Sequence, residues 1–285
     1  MAPSWLITGS SSGFGLALVR YLLAQGHSVI ATSRNPSKTP DLIEEVASKP
    51  NGAWLALDVV ASKADIDKVI YEAWAKFDGI DFLVNNAGYS ILGAAEEIPE
   101  HQAKDQFEVN FWGAVRATQS ILPLMRSRRS GTIINISSVA GGDPLPTCAI
   151  YAASKVALEA WTESLSHEVR HLGIRGIVIQ PGAFRTNFFS SSAMQIVTPS
   201  QAYAGESSPV AQTLGKFGSI DASNFSDPIK AAERIVEVGT ETGFGEGLKV
   251  LRVPLGPDCY RRVFENHGKR EADLEATKSI ATSTS

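Results

Sequence analysis

Tyr151 and Lys155 stand four residues apart, a spacing that puts both on one face of a helix, where their side chains can converge on one bound molecule. A free tyrosine ionises at about 10 and is a poor base at neutral pH, but an ammonium beside it favours the phenolate. Such a pair can give a proton to a substrate oxygen or take one from a hydroxyl. Ser138 lies thirteen residues before Tyr151, just past an apolar run. It supplies a hydroxyl that can hydrogen-bond the same substrate oxygen and hold the neighbouring carbon in place, with Ser137 as the alternative. Three residues at this spacing are a weak signal alone, so the elements that position them decide what they mean.

The first apolar run leads into TGSSSGFG, residues 8–15, and then into a helical run over 16–24. Glycines at 9, 13 and 15 permit a tight turn and let the backbone, with Ser11 and Phe14, approach a pyrophosphate at the helix N-terminus, where free N–H groups and the helix dipole favour an anion. The second strand ends at Arg34, with Lys38 nearby and no Asp or Glu between residues 26 and 40. A dinucleotide site specific for NAD offers a carboxylate to the ribose hydroxyl at this point, and one for NADP offers a cation to the 2′-phosphate. Arg34 therefore favours NADP(H), against the alternative of a solvated surface arginine.

Two other motifs point elsewhere. Residues 9–13 also read GxSxG, the nucleophile elbow of a serine hydrolase with Ser11 attacking. That reading needs an upstream strand and loop to build half of an oxyanion hole, and only eight residues precede Gly9. His167, Glu168 and His171 spell HExxH, a zinc motif when helical, but no convincing third ligand lies nearby and the mixed charges read as a solvated helix face.

Short apolar runs at 4–8, 28–33, 53–57, 82–85, 132–137, 176–180 and 248–253 alternate with amphipathic stretches. WLIT, FLVN, TIINI and GIVIQ are apolar on both faces, as strands covered by helices on each side must be. The expected fold is α/β, a single Rossmann-type doubly wound domain with a seven-stranded, mainly parallel sheet and helices on both faces. We expect this domain to span 1–266, with a substrate lid at about 187–225, followed by a flexible polar tail over 267–285.

The chain has 285 residues, 44% of them hydrophobic, and a net charge of -4, which offers no basic field for nucleic acid or anionic lipid. No apolar run nears the roughly 20 residues that span a bilayer. Cys148 and Cys259, far apart, suggest neither a disulfide framework nor a thiolate metal site, and a cytosolic protein without metal is expected. The sequons at Asn135 and Asn224 read as chance matches.

Taken in order, TGSSSGFG, Asp58 and Val59, the run Asn85, Asn86, Ala87 and Gly88, then Asn110, Ser138, the YAASK segment from Tyr151 to Lys155, and Pro181 and Gly182 with Thr186 resemble the short-chain dehydrogenase/reductase family over residues 4 to 186. The resemblance implies an NADP(H)-dependent enzyme interconverting a carbonyl and a secondary alcohol. By that pattern, Lys155 and Tyr151 also meet the nicotinamide ribose, Asp58 the adenine, and Asn86, Ala87 and Gly88 line the cleft. Thr186 and Phe184 hold the carboxamide, and Asn110, in the long helix before Arg128, supports a water that relays protons from Lys155. The resemblance further implies a homodimer or homotetramer packed through the helix that carries Val156, Leu158, Trp161 and Leu165.

The substrate pocket is expected along Gly141 to Leu145 and in the lid, where Phe188, Phe189, Met194, Ile196 and Val197 offer apolar surface to a bulky lipophilic small molecule, steroid-, terpenoid- or polyketide-like. Similarity to the hydroxysteroid and retinol branch, and to natural-product ketoreductases, implies such a ketone, and the preference for NADPH, a couple that cells keep reduced, points to reduction. The competing reading is a catalytically silent NADP-binding sensor or scaffold, which the presence of Ser138, Tyr151, Lys155 and Asn110 together argues against.

Overall fold

A computed structural model describes residues 2–189, 193–219 and 221–284. Its frame is a sheet of seven strands: β1 (Ser4–Ile7), β2 (Ser28–Ser33), β3 (Gly52–Ala56), β4 (Phe82–Asn85), β6 (Gly131–Ile136), β7 (Ile174–Pro181) and β9 (Arg252–Leu255), in the order β3-β2-β1-β4-β6-β7-β9. Every pairing is parallel. The doubly wound expectation therefore holds, with no antiparallel edge. The order reverses beside β1 and β4, and the strand ends there open the crevice in which such folds bind ligands.

Alternate residues of the same strands feed two separate cores, because successive side chains point to opposite faces. Trp5, Ile7, Val29, Ala31, Val84, Ile134 and Ile177 pack with Leu18 and Leu22 of α1 (Gly13–Ala24) and with Ala232 and Ile235 of α10 (Pro228–Thr240). Leu6, Ile30, Leu83 and Ile133 pack on the other face with Ile66 and Ile70 of α3 (Lys63–Lys76), Ile121 of α5 (Gly113–Arg128) and Leu165 of α7 (Ala149–Val169). At roughly 1.5–3 kcal/mol for each fully buried aliphatic side chain, these layers hold the strand ends still.

Three expectations change. The seventh strand begins at Arg252 instead of 248, because Leu248 and Val250 stay exposed before the chain joins β7. A second, two-stranded parallel sheet joins β5 (Ser90–Leu92) to β8 (Met194–Ile196), so the lid segment is tied to the frame beside the NNAG turn. Residues 267–282, expected as a flexible polar tail, continue α11 (Pro257–Thr282). Pro257 and Asp258 start that helix well, and the run KREADLEATK that follows consists mostly of strong helix formers, although every residue from His267 to Thr284 is exposed.

Within the expected lid, α8 (Gln201–Ala204) and α9 (Pro209–Gly218) are helical. Tyr203 donates to Glu96 at 2.7 Å, and the Ser200 N–H to Glu97 at 3.2 Å. Among the described residues no helix is long and apolar enough to cross a membrane.

Candidate active site

The turn after β1 is built by backbone proximity. Gly9 has φ of +68° and Gly13 of +57°, both left-handed, and a Cβ on Gly9 would lie 2.8 Å from the Cα of Ala87. A Cβ on Gly15 would strike the Gly9 carbonyl and come within 2.6 Å of Asn86 Nδ2. Asn86 locks the two turns together, its amide donating to the carbonyls of Thr8 and Gly9, both at 3.0 Å. Thr8 Oγ1 in return accepts from the N–H groups of Asn86 and Ala87 at 3.0 and 3.1 Å. Thr8 thus belongs to the site although sequence reasoning gave it no role. At Ser12, the cap of α1, no side-chain cap bond forms, so the first N–H groups of that helix face the crevice without a side-chain acceptor.

One cavity of about 950 Å³ runs from this turn to the first turns of α7. Gly9, Ser11, Gly13, Phe14, Arg34, Asp58, Val59, Asn86, Ala87, Gly88, Ser138, Tyr151, Lys155, Pro181, Gly182, Phe184 and Thr186 all line it. Gly15 and Asn110 are the two expected site residues that do not. Gly15 lies behind the turn, where the absence of a side chain lets α1 approach β1 and β4. Arg34 is exposed at the crevice rim and has no ion pair among the described residues. Phe14 and Phe184 meet edge to face, their centroids 5.0 Å apart.

Tyr151 and Lys155 are buried, at 7% and 4% exposure. Lys155 Nζ donates to the carbonyl of Ile136 at 2.9 Å and lies 5.8 Å from the Tyr151 ring centroid. Burial pushes the Tyr151 phenol up to about 12, against a hydrogen bond with Ser138 that favours the anion. It pushes Lys155 down to about 8, against the field of Glu159. Burial thus moves the Tyr151 phenol opposite to the direction that a neighbouring ammonium alone would give. Ser138 follows β6 by two residues and caps α6 (Val139–Gly142), its Oγ accepting from the Ala140 N–H at 3.1 Å.

The alternative at position 137 is already engaged: Ser137 Oγ donates to Glu159 at 2.5 Å. Glu159 is itself a feature the sequence did not reveal, a buried carboxylate that also accepts from Gln180 and Arg252. Asn110 sits in a π-helical turn, Glu108–Trp112, between α4 (Glu100–Phe107) and α5, instead of inside one long helix. Its side chain accepts from the Tyr89 N–H at 3.0 Å and donates to the Tyr89 carbonyl at 2.9 Å and to Ser154 Oγ at 3.1 Å. Gly88 separates it from Lys155, since a Cβ there would lie 3.1 Å from Asn110 Oδ1 and 3.4 Å from Lys155 Nζ.

Beyond Tyr151 the cavity wall is mainly apolar, formed by Leu92, Leu145, Cys148, Phe188, Met194, Phe217 and Phe225. Of the expected lining, Leu145, Phe188 and Met194 are in place. Ile196 is half exposed and Val197 packs over Gly93, because β8 turns them away. Gly141 lies against Glu159 and Ser137, not the cavity. The Phe189 side chain lies outside the described residues. Asp258 and Arg262 of α11 reach the same cavity. Asp258 accepts from the Ala183 N–H at 2.8 Å, and Arg262 donates to the Asp143 carboxylate and carbonyl, both at 2.8 Å. In the HExxH run, α7 stops at Val169 and His171 falls in a 3-10 turn, so the two histidines do not share one regular helix.

Residues 4–196 match the family described as short chain dehydrogenase. The oxidoreductase calM of Penicillium decumbens is 34% identical over 290 residues, covering 98% of this chain and 91% of that protein. The oxidoreductase claN of Passalora fulva is 44% identical over 199 residues, 70% of this chain and 89% of that protein. The crystal structure of a short-chain dehydrogenase from Streptomyces avermitilis superposes with a TM-score of 0.87 at 35% identity, covering 100% of this chain and 98% of the other.

Proposed function

This chain belongs to the short-chain dehydrogenase family, and from that premise we propose that it is an NADP(H)-dependent ketoreductase acting on a bulky lipophilic carbonyl compound. The observation that carries the reading is a single cavity lined at one end by the glycine turn and Arg34 and at the other by Ser138, Tyr151 and Lys155. The site fits a dinucleotide in its chemistry. Side chains are excluded where a backbone must approach a pyrophosphate, helix N–H groups lie open beside it, and Arg34, without an ion partner among the described residues, offers a cation beyond β2 to a 2′-phosphate.

In this reading Ser11, Gly13 and Phe14 flank the pyrophosphate, Asp58 and Val59 the adenine, and Asn86, Ala87 and Gly88 the cleft wall. Pro181, Gly182, Phe184 and Thr186 border the nicotinamide end. When bound, that ring supplies the hydride. Tyr151, protonated in its buried setting, delivers the proton to the substrate oxygen, which Ser138 holds by a hydrogen bond. Lys155 steadies the ribose and the phenol, and Asn110 supports the proton path behind it.

The apolar wall from Leu92 to Phe225 suits a steroid-, terpenoid- or polyketide-like ketone. Self-association through α7 is part of the same proposal. Leu158 and Leu165 of its stripe are core residues, but Val156 and the neighbouring Trp112 remain exposed, at 44% and 46%, which supports a dimer or tetramer. Titration with NADPH and NADH, followed by nicotinamide absorbance with a panel of lipophilic ketones, tests the proposal. Preferential NADPH binding with ketone-dependent oxidation is the expected result. Binding without turnover of any ketone points to a sensor, and no binding of either dinucleotide overturns the reading.

A further inference from the structure

Tyr151, Lys155 and Glu159 follow one another at single-turn spacing along α7, and all three are buried. Each grips a different residue at the end of β6. The Tyr151 phenol feels the Ser138 hydroxyl, Lys155 donates to the Ile136 carbonyl at 2.9 Å, and Glu159 accepts from Ser137 Oγ at 2.5 Å. The same carboxylate accepts from Gln180 Nε2 at 2.9 and 3.0 Å, at the end of β7, and from Arg252 Nε at 3.2 Å, from β9. Gly141 closes the remaining side, where a Cβ would collide with Glu159 Oε1 and lie 3.1 Å from Ser137 Oγ.

A carboxylate at this depth persists only when it is compensated. Arg252 compensates it in part, but its guanidinium is 37% exposed and also donates to Glu163 at 2.8 Å. Lys155 is more deeply buried and its ammonium bonds a neutral carbonyl, so it needs a negative field from close by. We infer that Glu159 is a positioning residue for the catalytic pair: a buried counter-charge one helical turn from Lys155 that keeps its ammonium formed and, through Ser137, steadies the strand end presenting Ser138. The inference rests on the acid/base reading of Tyr151 and Lys155 given above.

Two groups face Glu159 from packed elements, Arg252 of β9 and the Cys259 thiol of α11, with Asp258 and Arg262 beside that thiol. Toward Lys155, α7 presents the Tyr151 phenol and Glu159, β6 the Ile136 carbonyl, and the NNAG turn Gly88. Burial holds Lys155 low while Glu159 opposes the shift. Removing the carboxylate should therefore lower the lysine's titration midpoint, and removing Arg252, which competes for that carboxylate, should raise it.

The test is an NMR titration of the full chain labelled at lysine Cε, with the Lys155 signal assigned by its loss in Lys155→Met. In Glu159→Gln the midpoint should fall by about one pH unit, the scale of one close charge, with partial return in Glu159→Asp. In Arg252→Gln it should rise. The alkaline limb of the kcat profile for ketone reduction should move the same way in each variant. If Glu159→Gln does not fold, Arg252→Gln on the edge strand carries the test. An unmoved Lys155 midpoint in the variants that fold overturns the inference. Shifted midpoints in a protein that turns over no ketone leave the counter-charge standing and sink the ketoreductase reading instead.

Discussion

Gly9 and Ala87 approach so closely that a single methyl group on the glycine would sit 2.8 Å from the Ala87 Cα. This contact joins the turn after β1 to the turn after β4, so the dinucleotide crevice and the NNAG wall are one rigid unit. Gly9→Ala also meets a left-handed backbone, at φ of +68°. We expect a loss of roughly 1–3 kcal/mol in stability and at least a tenfold weaker NADPH Kd, checked by thermal unfolding and fluorescence titration. Unchanged values in both would show that the two turns separate freely.

Arg34 stands at the crevice rim with no ion pair among the described residues. Arg34→Ala should weaken NADPH binding by roughly 10–100-fold, the worth of one charge-assisted contact, while leaving NADH binding nearly as it was. Equal losses for both dinucleotides would assign the arginine to something other than the 2′-phosphate.

Tyr151→Phe removes the proposed proton donor and keeps the ring packed against Phe188, whose centroid lies 6.0 Å away. Ketone reduction should fall by roughly 10²–10⁴ in kcat, with NADPH affinity within about threefold of the parent. Near-normal turnover would remove Tyr151 from the acid/base role.

Lys155 carries a pH signature of its own. Its folded pKa of about 8 lies below its ordinary 10.5, so across that window the unfolded chain binds more protons and the fold gains stability as pH rises. Below about 8 the cost of burying the ammonium is fully present, and above about 10.5 it is gone. Relative to Lys155→Met, the parent should gain on the order of 3 kcal/mol between pH 7 and 10.5, measured by urea unfolding at each pH. The Tyr151 phenol, raised to about 12, works in the opposite direction only above its ordinary 10, and both proteins retain it.

The two halves of α11 should separate cleanly under truncation. Arg262 and Asn266 bind Asp143 and the Gly142 carbonyl, whereas every residue from His267 to Thr284 is exposed. Ending the chain at Gly268 should leave the melting temperature within about 2 °C and activity intact. Arg262→Ala should raise KM for the ketone by loosening the segment around Asp143. A collapse on removing residues 269–285 would mean that the exposed half of the helix is covered in the working protein.

The parallel sheet and the glycine turn were legible in the chain itself, because apolar runs alternating with amphipathic ones and a glycine-rich turn between strand and helix are local patterns with few structural solutions. The spacing of Tyr151 and Lys155, and the bare arginine after β2, are likewise local. Glu159 was not legible, since a glutamate at that spacing reads as a solvated helix face until β6, β7 and β9 bring Ser137, Gln180 and Arg252 around it. The helical form of residues 267–282 was not legible, because a polar run without apolar periodicity says nothing of a helix already started at Pro257. Burial also raises the Tyr151 phenol, against the direction that a neighbouring lysine alone would give. Residue types and spacings thus determined which groups meet, whereas the depth at which they meet, and so the direction in which burial moves their ionisation, was decided only by the tertiary packing.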